Sequence, residues 1–236
     1  TNYILLFSHM RGYTSLLSHI IGSHSEVKGY TEMHQSYRTF LGLLKLRYKS
    51  KLTTSSMEVP NFLFDKLLHN KYNVSKGILQ QRHIYPIIMI RKPEPTMKSI
   101  LNMGEKYTKV VRWYRDEQKV QSYYIKRLQK LQIIAKRANG KALFLEGQTL
   151  IDAPEKALQV ITTHLGLQSP LSKEYDTFSL TGAQGAGDPS SNIKSGKIVK
   201  DRDAYESIKI SPELLAQAEA VYQQTVVVLQ SNCKTI

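Results

Sequence analysis

Two segments carry side chains suited to holding an anion. The first is Ser8-His9-Met10-Arg11-Gly12-Tyr13-Thr14-Ser15-Leu16-Leu17, which follows the apolar run Tyr3 to Phe7. A helix start exposes unpaired N–H groups and the positive end of its dipole, so it attracts phosphate or sulfate. Arg11 adds a fixed charge, and Thr14 and Ser15 add hydroxyl donors. The segment also has an ordinary reading, a helix capped by Thr14 or Ser15. The second is Ile87-Ile88-Met89-Ile90-Arg91-Lys92-Pro93, with Ser99 beyond it. An Arg leaving a buried strand and a Ser two turns into the next helix can clamp one phosphate between guanidinium and hydroxyl. Its ordinary reading is a strand-end Arg paired with a surface carboxylate. There is no G-x-x-x-x-G-K followed by Ser or Thr, and no G-x-G-x-x-G. A Walker A loop and a Rossmann dinucleotide site are therefore disfavoured.

Other elements must position these groups. Tyr3 to Phe7 reads as a buried strand, and Leu16 to Ile21 as a helix ending at Gly22. Val27 to Tyr30 reads as a short strand, and Phe40 to Tyr48 as a helix that is basic on its outer side. Ile84 to Ile90 is another buried strand, and Pro93 opens a helix. From Tyr107 to Ala138 apolar positions mostly recur at helical spacing (110, 114, 120, 124, 128, 131 and 135). This predicts one long amphipathic helix with a break, ended by Asn139-Gly140. Ala142 to Leu145 is a buried strand, Pro154 to Leu165 a helix closed by Gly166, and Pro212 to Leu229 a last helix. Thr181 to Asp188 is Gly-rich and loop-like. Strands separated by helices argue for an α/β fold with a central, mostly parallel sheet flanked by helices. Residues 1–236 read as a single domain. Ligands of such sheets bind at the carboxyl ends of strands, which places the chemistry after Phe7, Ile90 and Leu145.

The composition bounds the partners. Lys and Arg number 33 and Asp and Glu 19, a net charge of +14, which favours an anionic partner. The single cysteine, Cys233, excludes a disulfide framework or a cysteine-based zinc site within one chain. No apolar run reaches the roughly 20 residues of a membrane helix. The apolar start has no basic region before it and does not read as a signal peptide. These features give the expectation of a cytoplasmic protein.

The ordered set of motifs resembles the sulfotransferase family, its bacterial and tyrosylprotein-like branch in particular. The family's donor is 3′-phosphoadenosine 5′-phosphosulfate. Its P-loop-like element, Arg/Lys-Ser-Gly-Thr-Thr-Leu-Leu after the first strand, is similar to Arg11-Gly12-Tyr13-Thr14-Ser15-Leu16-Leu17. Its apolar strand ending in Arg-x-Pro, with a Ser eight positions after the Arg, matches Arg91, Pro93 and Ser99. Its later strand ending in Glu, then a helix closing on Phe-Leu-Gly, is similar to Leu145-Glu146 and His164-Leu165-Gly166. The resemblance runs from about Tyr3 to Leu167. Tyr13 stands where the family loop has Gly, and Gly12, one position earlier, is read as supplying the backbone freedom instead. Lys194-Ser195-Gly196 echoes the family's C-terminal Arg-Lys-Gly and is read as a lid over the nucleotide.

The resemblance implies in-line sulfuryl transfer to an acceptor hydroxyl, without a metal. Arg11 would neutralise charge on the sulfuryl and bridging oxygens. The N–H groups of Gly12, Tyr13, Thr14 and Ser15 would hold the 5′-phosphate, and Arg91 and Ser99 the 3′-phosphate. Glu32 matches the family's catalytic Glu in its distance from the loop, and His34 is the alternative base. The acceptor class is left open: a small-molecule or glycan hydroxyl, including an acidic one. Tyr37, Tyr48, Tyr107 and Tyr114 are candidates to line its pocket, whereas Trp113 and the other histidines read as packing residues. Two rival readings remain. One is a nucleotide-dependent phosphotransferase, which would need a loop Lys and a strand-end Asp. The other is a basic nucleic-acid-binding module, using Lys45 to Lys51 and Lys126 to Lys130, although such runs are usually solvated helix faces.

Overall fold

A computed structural model describes residues 1–52, 60–107, 111–182, 191–200, 205 and 207–236. Strand β1 (Asn2–Phe7) leads through residues 8–13 into helix α1 (Thr14–Gly22). Then follow β2 (Val27–Lys28), α2 (Phe40–Leu52), β3 (Phe62–Leu67), the single turn α3 (Lys76–Leu79), β4 (Ile84–Ile90) and α4 (Pro93–Lys106). After a 3₁₀ turn at Arg112–Arg115 come α5 (Glu117–Ala138), β5 (Leu143–Glu146), the short α6 (Thr149–Asp152) and α7 (Pro154–Leu165). The chain closes with the short α8 (Ser191–Lys194), α9 (Pro212–Asn232) and β6 (Lys234–Thr235).

The strands form one sheet in the order β2-β3-β1-β4-β5-β6, and every described pairing is parallel. This is the α/β layering that the alternation of strands and helices predicts. Side chains of β1 alternate between the faces. Tyr3, Leu5 and Phe7 join a core with Tyr124, Leu128 and Tyr222 on one side. Ile4 and Leu6 join Leu17, Ile20 and Ile161 on the other. Strand β1 is flanked by β3 and β4, so connections leave it in both directions. That reversal opens a crevice at its carboxyl end.

Three departures from the sequence reading have physical causes. Strand β3 was hidden because Asp65 and Lys66 interrupt its apolar pattern, although the whole strand is buried. The Asp65 carboxylate is accommodated by Tyr37 Oη at 2.5 Å and the Met33 N–H at 2.8 Å. The stretch from Tyr107 to Ala138 breaks, as read, but its long helix starts only at Glu117. Tyr107 is the extended end of α4, and α5 begins at Glu117 because Asp116 caps it, accepting the Lys119 N–H at 3.1 Å. Its far end is as expected, with Asn139 and Gly140 both at positive φ. Helix α1 begins at Thr14, but neither Thr14 nor Ser15 caps it; Tyr13 occupies that position without a side-chain hydrogen bond. Val110 and residues 183–188 of the Gly-rich stretch lie outside the described residues.

Candidate functional site

The carboxyl ends of β1, β4 and β5 are neighbours in the sheet, so the segments after Phe7, Ile90 and Leu145 meet. The loop after β1 turns sharply. Arg11 has φ 60° and Tyr13 φ 62°. Left-handed backbone at a strand-to-helix turn aims successive N–H groups into one concavity suited to an anion. The backbone freedom assigned to Gly12 is therefore exercised on either side of it. What Gly12 contributes is space: a Cβ there would lie 2.9 Å from Ser8 Oγ and 3.1 Å from the His9 ring. Gly147, after β5, serves the same packing, since its Cβ would lie 2.9 Å from the Gly12 carbonyl oxygen.

The segments after β1 and β4 meet side chain to side chain. Arg11 Nε donates to Ser99 Oγ at 2.7 Å, and Ser99 in turn donates to Tyr205 Oη at 3.2 Å. Arg91 Nη1 donates to the Arg11 carbonyl at 3.3 Å. Its guanidinium lies over the Tyr13 ring, 4.2 Å from the centroid. Tyr13 Oη reaches Gln148 Oε1 at 3.4 Å. Two arginines from separate strand ends thus stand at the start of α1, beside a buried hydroxyl.

Three buried residues that the sequence reading passed over hold this arrangement. His9 bridges β1 and β4: Nε2 accepts the Arg91 N–H at 2.9 Å, so Nδ1 carries the proton and donates to the Met10 carbonyl at 2.8 Å. Burial, with Arg127 and Arg91 nearby, pushes its pKa down to about 4, and the ring is neutral at pH 7. Arg127, on α5, is fully buried. It donates to the carbonyls of Ser8 (2.7 Å) and Leu67 and to Asn70 Oδ1 (3.1 Å), tying off the ends of β1 and β3. Burial lowers its pKa only to about 10, so it stays charged. The run Lys126 to Lys130 is therefore not a wholly solvated face. Its helical register held the clue, because Arg127 shares a stripe with Tyr124, Leu128 and Leu131. Tyr124 Oη holds the Arg91 carbonyl at 2.7 Å.

The two base candidates also come together. Glu32 Oε2 is buried, lacks a hydrogen bond, and lies 3.8 Å from both His34 Nδ1 and His69 Nε2. The His34 side chain is 57% exposed, whereas that of Glu32 is 15% exposed, so Glu32 is the more enclosed of the two. His69, which reads as isolated in sequence, is half-buried, and burial holds its pKa below the usual histidine value. No motif links it to Glu32; only the fold does. The charge of Glu32 helps raise the pKa values of Tyr114 and Tyr123, after the larger effect of their burial. Those hydroxyls contact Met10, Tyr114 at Sδ (3.3 Å) and Tyr123 at the backbone N–H (2.8 Å). Tyr114 and Tyr123 thus feel the Glu32 charge while contacting the turn after β1.

The remaining expectations divide. Thr14 is buried in the first turn of α1, and Ser15 leaves its carbonyl to His19 Nδ1 at 2.7 Å. Ser195 Oγ donates to the carbonyls of Asn192 and Lys197, and the Gly196 carbonyl accepts from the Tyr175 N–H. The described hydrogen bonds of Ser195 and Gly196 thus tie that turn to residues 175–197. None joins it to Arg11 or Arg91. Tyr37 is fully buried against Asp65, and Tyr48 projects from α2 with 64% exposure. Tyr107 ends α4, and Tyr114 is the tyrosine of the four whose pKa the Glu32 charge helps raise.

No protein-family model matches the chain, and no curated protein matches it. Solved structures do. A sulfotransferase domain from the curacin biosynthetic pathway superposes with a TM-score of 0.60 at 16% identity, over 95% of this chain and 97% of that one. The sulfotransferase domain of the Synechococcus PCC 7002 olefin synthase gives 0.59 at 18% identity, over 94% of each chain. A sulfotransferase from Alicyclobacillus acidocaldarius gives 0.53 at 12% identity, over 98% of this chain and 94% of that one. With a parallel sheet and near-complete coverage, the chain has a sulfotransferase-like fold.

Proposed function

We propose that the chain transfers a sulfuryl group from 3′-phosphoadenosine 5′-phosphosulfate to an acceptor hydroxyl. The observation that carries this reading is the Arg11–Ser99 hydrogen bond with Arg91 stacked on Tyr13. One cluster offers two guanidinium groups and a buried hydroxyl beside a helix start, which matches a ligand with two separated anionic groups. The first-turn N–H groups of α1 and residues 12–15 suit the 5′-phosphate. Arg91 and Ser99 suit the 3′-phosphate. Lys194, Ser195 and Gly196 remain the lid of this reading, to close when nucleotide binds.

The donor supplies an activated sulfuryl group. The acceptor oxygen forms a bond to sulfur as the bond from sulfur to the phosphate oxygen breaks, and the bisphosphate leaves with that electron pair. Arg11 balances the charge that grows on the leaving oxygen. Glu32 takes the acceptor proton, and its buried, unbonded Oε2 supports that role. Most of the rate comes from alignment and charge stabilisation.

The test is calorimetric titration with 3′,5′-bisphosphoadenosine, with 5′-AMP as control. Micromolar binding that needs the 3′-phosphate, and that falls about thirtyfold in Arg91→Ala through loss of a charge-assisted bond, supports the reading. A folded chain that does not distinguish the two nucleotides overturns it.

A further inference from the structure

We propose that the outer face of α2 docks the chain on the surface of an anionic lipid bilayer. The sequence leads to the expectation of a helix that is basic on its outer side; the fold shows that side to be apolar as well. Leu43 and Leu46 turn inward and are buried in the core. Phe40, Leu41, Leu44 and Tyr48 are exposed, and Leu41, at 72%, is the most exposed large apolar side chain described. At about 3.6 residues per turn, Phe40, Leu44 and Tyr48 form one row, with Leu41 in the row beside it. The other exposed large apolar side chains, Val111, Ile133, Leu180, Val199 and Val227, fall on other segments. A helix on a soluble core carries polar residues opposite its buried stripe, so a second apolar face calls for a cover.

The charges point to what covers it. Lys45 and Lys51 are exposed on the helix, Arg38 is exposed just before it, and Arg47 is half-buried at its flank. Lys49 donates to the Met33 carbonyl at 2.9 Å and adds less to this face. No Asp or Glu occurs between Glu32 and Glu58. Asp65 of β3, the strand packed against α2, is buried and engaged with Tyr37 and Met33. With a net charge of +14 behind it, the face is matched to an anionic surface. Lys and Arg stems can lie along the leucines and reach lipid phosphates, while the leucines and rings enter the acyl boundary. At 13 residues α2 is too short to span a bilayer, so it lies in the interface plane. A second copy of the chain would bring these cations against themselves, and a nucleic acid would leave Leu41 and Leu44 without partners. None of these residues belongs to the cluster of Arg11, Arg91 and Ser99, so the inference is independent of the donor reading.

The experiment is cosedimentation of the chain with phosphatidylcholine vesicles, with and without about one-third phosphatidylglycerol, at about 0.15 M salt. The chain should bind the anionic vesicles about tenfold or more tighter than the neutral ones. Leu41→Ser combined with Leu44→Ser should weaken that binding about thirtyfold through lost apolar burial. Lys45→Gln combined with Lys51→Gln should weaken it about tenfold. All four side chains are exposed, so both double variants should keep the wild-type urea midpoint, which shows that they are folded. Failure to bind anionic vesicles overturns the inference. So does binding that the leucine pair does not alter, since that is charge attraction alone. Tighter binding of a random oligonucleotide, weakened by the lysine pair and not by the leucine pair, assigns the face to nucleic acid and overturns it. Self-association that the leucine pair abolishes, in place of vesicle binding, assigns the face to a second copy and overturns it too.

Discussion

The Arg91 guanidinium lies over the ring of Tyr13, a residue 78 positions earlier whose backbone is left-handed at φ 62° and ψ 17°. A non-glycine residue there costs about 1 kcal/mol or more, and the cation–π contact returns about 1 kcal/mol. Tyr13→Gly removes both and should leave stability nearly unchanged. Tyr13→Ala keeps the strain and loses the ring, so it should be about 1 kcal/mol less stable than Tyr13→Gly. Urea unfolding of the two variants side by side checks this ordering.

Ser99 takes the Arg11 Nε–H and has under 2% exposure. Ser99→Ala should weaken 3′,5′-bisphosphoadenosine about tenfold through loss of a hydroxyl and misplacement of Arg11. The effect of 5′-AMP as competitor should change much less. Calorimetry on the variant, with both nucleotides, measures the difference.

Removing Arg127 leaves carbonyls at two strand ends without their donor. Arg127→Met should destabilise the fold by about 3 kcal/mol or more. Arg127→Lys should rescue only part, because one ammonium cannot copy the planar fork that reaches Ser8, Leu67 and Asn70. Thermal unfolding of the pair reads this out.

Stability should depend on pH in two opposed ways. The native pKa of His9, about 4, lies below the ordinary 6.5, so the unfolded chain binds more protons between these values. Its contribution is present above pH 6.5 and is lost as pH falls toward 4, by at most about 3 kcal/mol. Asp65 is raised from 3.8 to about 7, chiefly by burial, with the Glu32 charge adding to the rise. The native state then holds the extra proton, and stability falls as pH rises from about 4 to 7. His9→Gln should flatten the acid side of the stability profile, and Asp65→Asn the neutral side. Urea midpoints measured from pH 4 to 8 test both signs.

The base assignment separates by rate. In the proposed transfer, Glu32→Gln should lower the rate to an acceptor hydroxyl by about 10²–10⁴-fold with bisphosphoadenosine affinity unchanged. His34→Gln should stay within about fivefold, as expected for a solvent-screened neighbour. A larger loss at His34 than at Glu32 would reverse the assignment.

Local chemistry made much of this protein legible from its residues. Apolar runs such as Ile87 to Ile90 and stops such as Gly166 act over a few positions, and they mark strands, helix ends and the turn after β1 before any contact is known. The sequence also singled out Arg11, Arg91 and Ser99, and the fold brings them together because strand ends of a parallel sheet face one crevice. Tertiary structure decided what local pattern could not carry. Asp65 and Lys66 concealed β3, since a buried carboxylate is tolerable only where Tyr37 and Met33 reach it. Arg127 looked like part of a solvated charge run until three acceptors from other segments enclosed it. His69 acquired a role only by lying 3.8 Å from Glu32, 37 positions away. Tyr13 could take a glycine's backbone conformation because Arg91 packs on its ring. Each of these depends on a partner distant in the chain, and the free energy of such a contact is written in neither residue alone.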